Sequence, residues 1–142
     1  MSTSRSDLNT STRKKREQYS DFLNSFATHP LTRQLARVTN EDSVTQAIRN
    51  LMLTDQGERF FRPEIGSSIK KSLFEPFGPF AAENISRAIM ETIKYCEPRV
   101  TVLALNVYTA PDAQTYAVNL TFAVSTNPTP ITLAMILKPI RV

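Results

Sequence analysis

A chain of 142 residues has the length of one domain, and 41% apolar with 21% charged residues is the composition of a globular protein, not a disordered one. Three glycines exclude a Gly-rich phosphate loop and a collagen-like repeat, while the single cysteine and single histidine cannot form an internal disulfide or supply the ligands of a zinc site. The net charge of +4 sits on residues 1–16, where Arg5, Arg13, Lys14, Lys15 and Arg16 face only Asp7, and the remaining twelve basic and twelve acidic side chains cancel.

The body therefore has no overall attraction for phosphate, and nucleic acid is not an expected partner. Residues 1–16 read as a flexible basic arm, too poor in apolar side chains to fold alone, ahead of a domain over 17–142. The N-terminus is rich in Ser, Thr and Arg and has no apolar h-region, so no secretory signal is expected and a reducing compartment is the simplest setting. Apolar stretches fall well short of the ~20 residues of a membrane helix, so no membrane partner is expected either.

Between residues 17 and 38 two readings stand. Tyr19, Phe22, Leu23 and Phe26 fall at i, i+3, i+4 and i+7, which favours a short amphipathic helix. The same stretch also allows an extended segment that turns at Thr28, His29 and Pro30 and continues as a short strand around 35–38. His29 precedes a proline and reads as a turn residue.

From Asn40 a helix is expected, capped by Asn40 or Asp42, with Val44, Ala47, Ile48 and Leu51 on one face and Gly57 as its stop. A shorter helix is expected after Pro63, burying Ile65, Ile69 and Leu73 and ending at Pro76. A third begins near Pro79 and runs to about Tyr95, with Ile85, Ala88, Ile89 and Ile93 inward and Cys96 closing that face as a small core residue. The period then changes from helical to two. Residues 100–108 are β-branched and apolar; Tyr116, Val118, Leu120, Phe122 and Val124 alternate with small or polar residues; and a last strand over 131–137 lies among Pro128, Pro130 and Pro139, as edge strands do. The expected fold class is α+β, with N-terminal helices packed on one antiparallel sheet of three to five strands.

Catalytic chemistry finds little support. A Ser-His-Asp or Cys-His arrangement could be built only on His29. Glu58, Glu64, Glu75, Glu83, Glu91, Glu97 and Asp112 have the chemistry of a glycosidase pair, yet no spacing singles out two of them, and there is no Trp for a sugar platform. No catalytic residue, metal or cofactor is expected. Glu97-Pro98-Arg99 stands out because Pro98 forces the chain out of the third helix there. Two readings remain: a helix stop with two exposed charges, or a rigid projecting pair in which the Arg99 fork recognises a partner.

The run "LMLT" into "DQGERFFRPEIGSSI", then "LFEPF", a helix and "YCEPRV" before a strand, resembles the baseplate-wedge family of contractile phage tails. That family includes the corresponding subunit of type VI secretion systems and has carried a "lysozyme-like" label. The resemblance covers roughly residues 22–142, ending at Arg141 and Val142. It implies a non-enzymatic virion protein of the inner baseplate, assembled in the host cytoplasm, present as six copies around the tail tube, and initiating polymerisation of the tail sheath. The implied fold is similar to the sheath-docking domain of tail sheath proteins, and the implied sheath partner is the first ring.

By position, the family's Glu-Pro-Arg motif, which contacts the helical core bundle of the wedge, falls on Glu97, Pro98 and Arg99. The family's interhelical loop falls on Gly57, Glu58, Arg59, Pro63 and Gly66. Where the family commonly has one aromatic after Glu-Arg, this chain has Phe60 and Phe61. For residues 22–38 the resemblance implies a strand pair in place of the helix. The alternative function is a peptidoglycan-degrading tail enzyme.

Overall fold

The computed structural model describes residues 18–139; the basic arm over 1–16 and the terminal Arg141 and Val142 lie outside the described residues. The chain runs β1 (Ser20–Phe22), β2 (Arg37–Thr39), α1 (Asn40–Leu53), α2 (Ile69–Leu73), α3 (Pro79–Cys96), β3 (Val100–Ala110), β4 (Thr115–Val124) and β5 (Asn127–Leu137). This is the expected α+β class. The strand pair β1–β2 forms its own two-stranded ladder, and β3-β4-β5 form an antiparallel three-stranded meander.

The stretch before α1 is extended. Ser20 lies opposite Thr39 and Phe22 opposite Arg37, and Thr28 bridges Leu35. The helical spacing of Tyr19, Phe22, Leu23 and Phe26 is not used, because Phe22 and Phe26 remain 48% and 69% exposed and give no face to bury. The turn between the strands is held by His29, whose Nδ1 accepts from the backbone N–H groups of Leu31 and Thr32.

α1 differs from expectation at both ends. Thr39 is the N-cap without a side-chain bond, while Asn40 adopts φ +50 and its Oδ1 accepts from the Gln18 N–H at 2.9 Å. The helix ends at Leu53, ahead of Gly57, with the Thr54 N–H bonded to the Asn50 carbonyl. Val44, Ile48 and Met52 are its buried apolar residues, and Ala47 and Leu51 are half-buried. The helix expected after Pro63 begins only at Ile69. The Pro63 carbonyl is taken by the Gly57 N–H, and Gly66 at φ +141 cannot belong to a right-handed helix.

α3 starts on Pro79, whose missing N–H costs nothing in a first turn, and buries Ala81, Ala82, Ile85, Ala88, Ile89 and Ile93. Cys96, expected in the core, is half-buried at the helix end. On β4 the alternation is regular: Tyr116, Val118, Leu120, Phe122 and Val124 all point into the core. Burying each such side chain contributes roughly 1.5–3 kcal/mol. Tyr116 satisfies its hydroxyl by accepting from the Gly78 N–H at 3.3 Å and stacks near Phe77 at 4.9 Å between ring centroids.

β3 has no such parity. A bulge between Val102 and Ala104 inserts Leu103, 54% exposed, and moves the inward positions from Val100 and Val102 to Leu105 and Val107. β5 begins at Asn127, four residues before the expected start, and takes Pro128 and Pro130 into an edge strand where no partner needs their N–H. Helices cover one face of the meander. On β4 the other face is small and polar, with the Thr121 and Thr132 hydroxyls 3.3 Å apart across the β4–β5 register, but Tyr108 and Ile136, in register with Ala117, stand exposed on it. Among the described residues, neither β3 nor β5 pairs with a further strand on its outer edge.

Candidate functional site

The Glu-Pro-Arg corner is built where α3 ends. The Glu97 N–H closes on the Ile93 carbonyl at 2.9 Å, Pro98 carries the chain out, and the Val100 N–H turns back to the Glu97 carbonyl at 3.1 Å. Glu97 is 5% exposed. Its two carboxylate oxygens accept from Arg99 Nε at 2.5 Å and Nη2 at 2.8 Å, a bidentate pair. Hydrogen bonding to Glu97, opposed in part by burial, raises the Arg99 pKa above its ordinary value. The guanidinium lies 4.8 Å from the Tyr19 ring centroid.

The corner is therefore neither two exposed charges nor a projecting pair. Pro98 is exposed, Glu97 is buried, and Arg99 is half-exposed with two of its donor positions spent internally. The Arg99 carbonyl in turn accepts from the Ser125 N–H at 2.9 Å and Oγ at 2.8 Å, tying the corner to the β4–β5 turn. Asn127, the first residue of β5, donates to Glu41 of α1. Tyr19, Ser125, Asn127 and Glu41 were not legible as partners of this corner. They are remote in sequence, and no local pattern links them to it.

The second expected group, Gly57, Glu58, Arg59, Pro63 and Gly66, lies on one loop over residues 54–68, between α1 and α2. The loop is tied at its base: the Ser67 N–H reaches the Thr54 carbonyl at 2.8 Å, the Gln56 N–H the Ser67 carbonyl at 3.3 Å, and Ser67 Oγ the Met52 carbonyl at 2.9 Å. A Cβ on Gly66 would stand 2.6 Å from the Asp55 carbonyl oxygen, so glycine is required there. Glu58, itself exposed, folds back to accept from the Asp55 N–H at 2.9 Å, and that bond, with Lys70 at 3.8 Å, lowers its pKa. The remaining motif residue, Arg59, is exposed, and so are Phe60 and Phe61, each at 98%.

Between this loop and α3 runs an open groove of about 490 Å³. It is lined in part by Arg62, Glu64, Glu91, Tyr95 and Cys96. Glu64 is 66% exposed at the side chain and 3.5 Å from Arg62. Among the described residues there is no cluster of three metal-ligating side chains, and no helix is long and apolar enough to cross a membrane.

Among the described residues the sheet thus has one helix-covered face and two unpaired outer edges, beside an internally tied charged corner and a braced loop with exposed aromatics. The family can be named. Residues 38–129 match the family described as baseplate wedge protein gp25, and the chain belongs to it. The baseplate wedge protein gp25 of Enterobacteria phage T4 is 34% identical over 86 residues, which span 61% of this chain and 65% of the T4 protein, just under two thirds of that relative.

Solved structures share the fold at lower identity. A component of the anti-feeding prophage baseplate matches with a TM-score of 0.67 at 21% identity, covering 75% of this chain and 86% of its own. A Geobacter sulfurreducens protein described as a tail lysozyme matches at 0.65 and 22%, covering 71% and 92%. A chain of the postcontracted pyocin R2 baseplate matches at 0.55 and 17%, covering 69% and 96%.

Proposed function

We propose that this protein is a non-enzymatic structural subunit of the inner baseplate wedge of a contractile phage tail. In this reading it attaches to the wedge core bundle through the Glu97-Pro98-Arg99 corner and starts sheath polymerisation through its meander. The observation that carries the reading is the sheet: among the described residues one face is packed on helices, the other is uncovered, and the outer edges of β3 and β5 are unpaired. Unpaired strand edges are a hazard to a free monomer and a template within an assembly. Strands of first-ring sheath subunits would extend the sheet, with six copies arranged around the tail tube. The virion tail baseplate is the corresponding location, with assembly in the host cytoplasm.

Arg99 contributes to the corner through the donors it does not give to Glu97 and through Tyr19 beneath it. Exposed Pro98 supplies a rigid ledge beside it. The loop motif residues Gly57, Glu58, Pro63 and Gly66 act as scaffold in this reading, and Arg59 faces outward.

The test is electron microscopy of particles assembled without the protein and then complemented. Naked tubes on incomplete baseplates, rescued by wild type and not by Arg99→Ala, support the reading; Arg99→Lys, which keeps a charge at the corner, separates docking from folding. Normal sheathed tails that adsorb and fail to penetrate overturn it in favour of a peptidoglycan hydrolase.

That second reading has one specific observation, Glu64 and Glu91 lining the same groove. Both are exposed, and Glu64 lies beside Arg62, whereas the acid of a glycosidase needs a desolvating pocket. Loss of muralytic activity in Glu64→Gln or Glu91→Gln, with assembly intact, would establish the enzyme instead.

A further inference from the structure

We propose that Phe60 and Phe61 form a third docking element. Together they are a braced aromatic knob that enters an apolar pocket rimmed by carboxylates on a neighbouring baseplate protein. The inference rests on the reading of the chain as a baseplate subunit, and it concerns a surface distinct from both the Glu97–Arg99 corner and the sheet edges.

Exposure and rigidity occur together here. Both rings are 98% exposed, as open as in an unfolded chain, so folding gains nothing from them. The backbone beneath them is nevertheless well tied. The Gly57 N–H holds the Pro63 carbonyl at 2.9 Å, the Arg62 N–H the Arg59 carbonyl at 3.2 Å, and the Asp55–Ser67 bridge closes the base where Gly66 alone fits. A braced loop presents its side chains with little ordering entropy left to lose on binding. Two adjacent aromatics in that state have the form of an interface anchor.

Charge selects the partner. The rings lie between Arg59 and Arg62 in sequence, while Glu58 is drawn back to the Asp55 N–H and Lys70 at the base. The tip thus shows an apolar pair next to the exposed Arg59, with Arg62 shared with Glu64, and suits an apolar pocket with Asp or Glu at its rim. An anionic bilayer would attract the arginines too. The chain belongs to a baseplate family and works among other proteins in the reading above, and this favours a protein pocket. Size sets the role: two phenylalanines bury about 300–500 Å² at most, against roughly 1,600 Å² for a stable interface, so the knob is an anchor within a larger contact.

The experiment complements particles lacking the protein with wild type, F60S/F61S, F60L/F61L or R59E/R62E, and counts copies retained per purified particle by quantitative mass spectrometry. Purified F60S/F61S is expected to melt with wild type, since neither ring is packed. Its retention is expected to fall roughly tenfold or more, with F60L/F61L intermediate and R59E/R62E also reduced. Phe60→p-benzoylphenylalanine is expected to crosslink, within particles, to a peptide of another baseplate protein that contains Asp or Glu.

Full retention of F60S/F61S, or crosslinking only to a second copy of this chain, overturns the proposal. So does binding of the purified wild-type protein to phosphatidylglycerol vesicles that F60S/F61S loses, which would assign the tip to a membrane. Absence of the wild-type chain from particles overturns the baseplate reading itself and this proposal with it. Wild type present beside equally retained F60S/F61S removes only the knob.

Discussion

The Glu97–Arg99 corner and the 54–68 loop draw on the same residue types, a glutamate, an arginine, a proline, and use them in opposite ways. At the corner the charges are consumed inside the fold: Glu97 is buried, Arg99 is bound to it at two points, and the backbone between them holds the β4–β5 turn. In the loop the glutamate braces the base, and the arginines and aromatics face water. Motif chemistry alone does not say which charges are spent inside the fold. What decides is whether another element arrives to cover them, as Tyr19 and the β4–β5 turn do at the corner and nothing among the described residues does at the loop tip.

The largest effect that would break this contrast is expected at the loop's base. Gly66→Ala puts a Cβ against backbone at 2.6 Å in a left-handed conformation, and about 2–4 kcal/mol of stability should be lost, measured by urea unfolding. A change below ~0.5 kcal/mol would mean that the base is not tightly tied.

Next comes the corner, where the two partners should not be equivalent. Arg99→Ala leaves a buried carboxylate without a partner and should cost roughly 1–3 kcal/mol, the lower part of the range because Arg99 is half-exposed and water can enter. Glu97→Gln leaves an arginine that can move into solvent and should cost less. The double variant Glu97→Gln/Arg99→Ala should be more stable than Arg99→Ala alone. Equal effects from both single changes would show that the carboxylate is more solvated than its burial implies. The same asymmetry requires that any assembly defect of Arg99→Ala be read beside its melting curve.

A smaller effect concerns Glu58. Its folded-state pKa lies below the ordinary 4.5, chiefly through the Asp55 N–H and then Lys70. The folded state therefore favours the ionised form. This contribution is complete above about pH 4.5 and is lost as pH falls through the lower folded value. Urea midpoints of wild type and Glu58→Gln should differ at pH 7, and the difference should shrink as pH falls below 4.5. Smallest of all is the loop tip: F60S/F61S should leave thermal stability unchanged, against roughly 3–5 kcal/mol for a core change such as Phe122→Ala.

Sequence patterns were informative wherever one element buries one continuous face. Ile85, Ala88, Ile89 and Ile93 disclosed α3, and the alternation from Tyr116 to Val124 disclosed β4 and its inward side. They misled where nearby polar groups or backbone conformation overrode periodicity. The helical spacing after Tyr19 gave way to a strand pair, Asn40 left its expected capping role for the Gln18 N–H, and Gly66 kept Pro63 out of a helix. The β3 bulge erased the parity that would have shown its buried face.

The chain's own residues determined the fold class, the order of the major elements and the motif set that marks the baseplate-wedge family, because hydrophobic period and proline position act over a few residues. Only the tertiary structure decided which of those motif residues are covered. It paired Glu97 with Arg99 over Tyr19, spent Glu58 on the loop's base, and, among the described residues, left Phe60, Phe61 and two strand edges uncovered. Burial is a property of which distant segments meet, and local spacing carries no record of that.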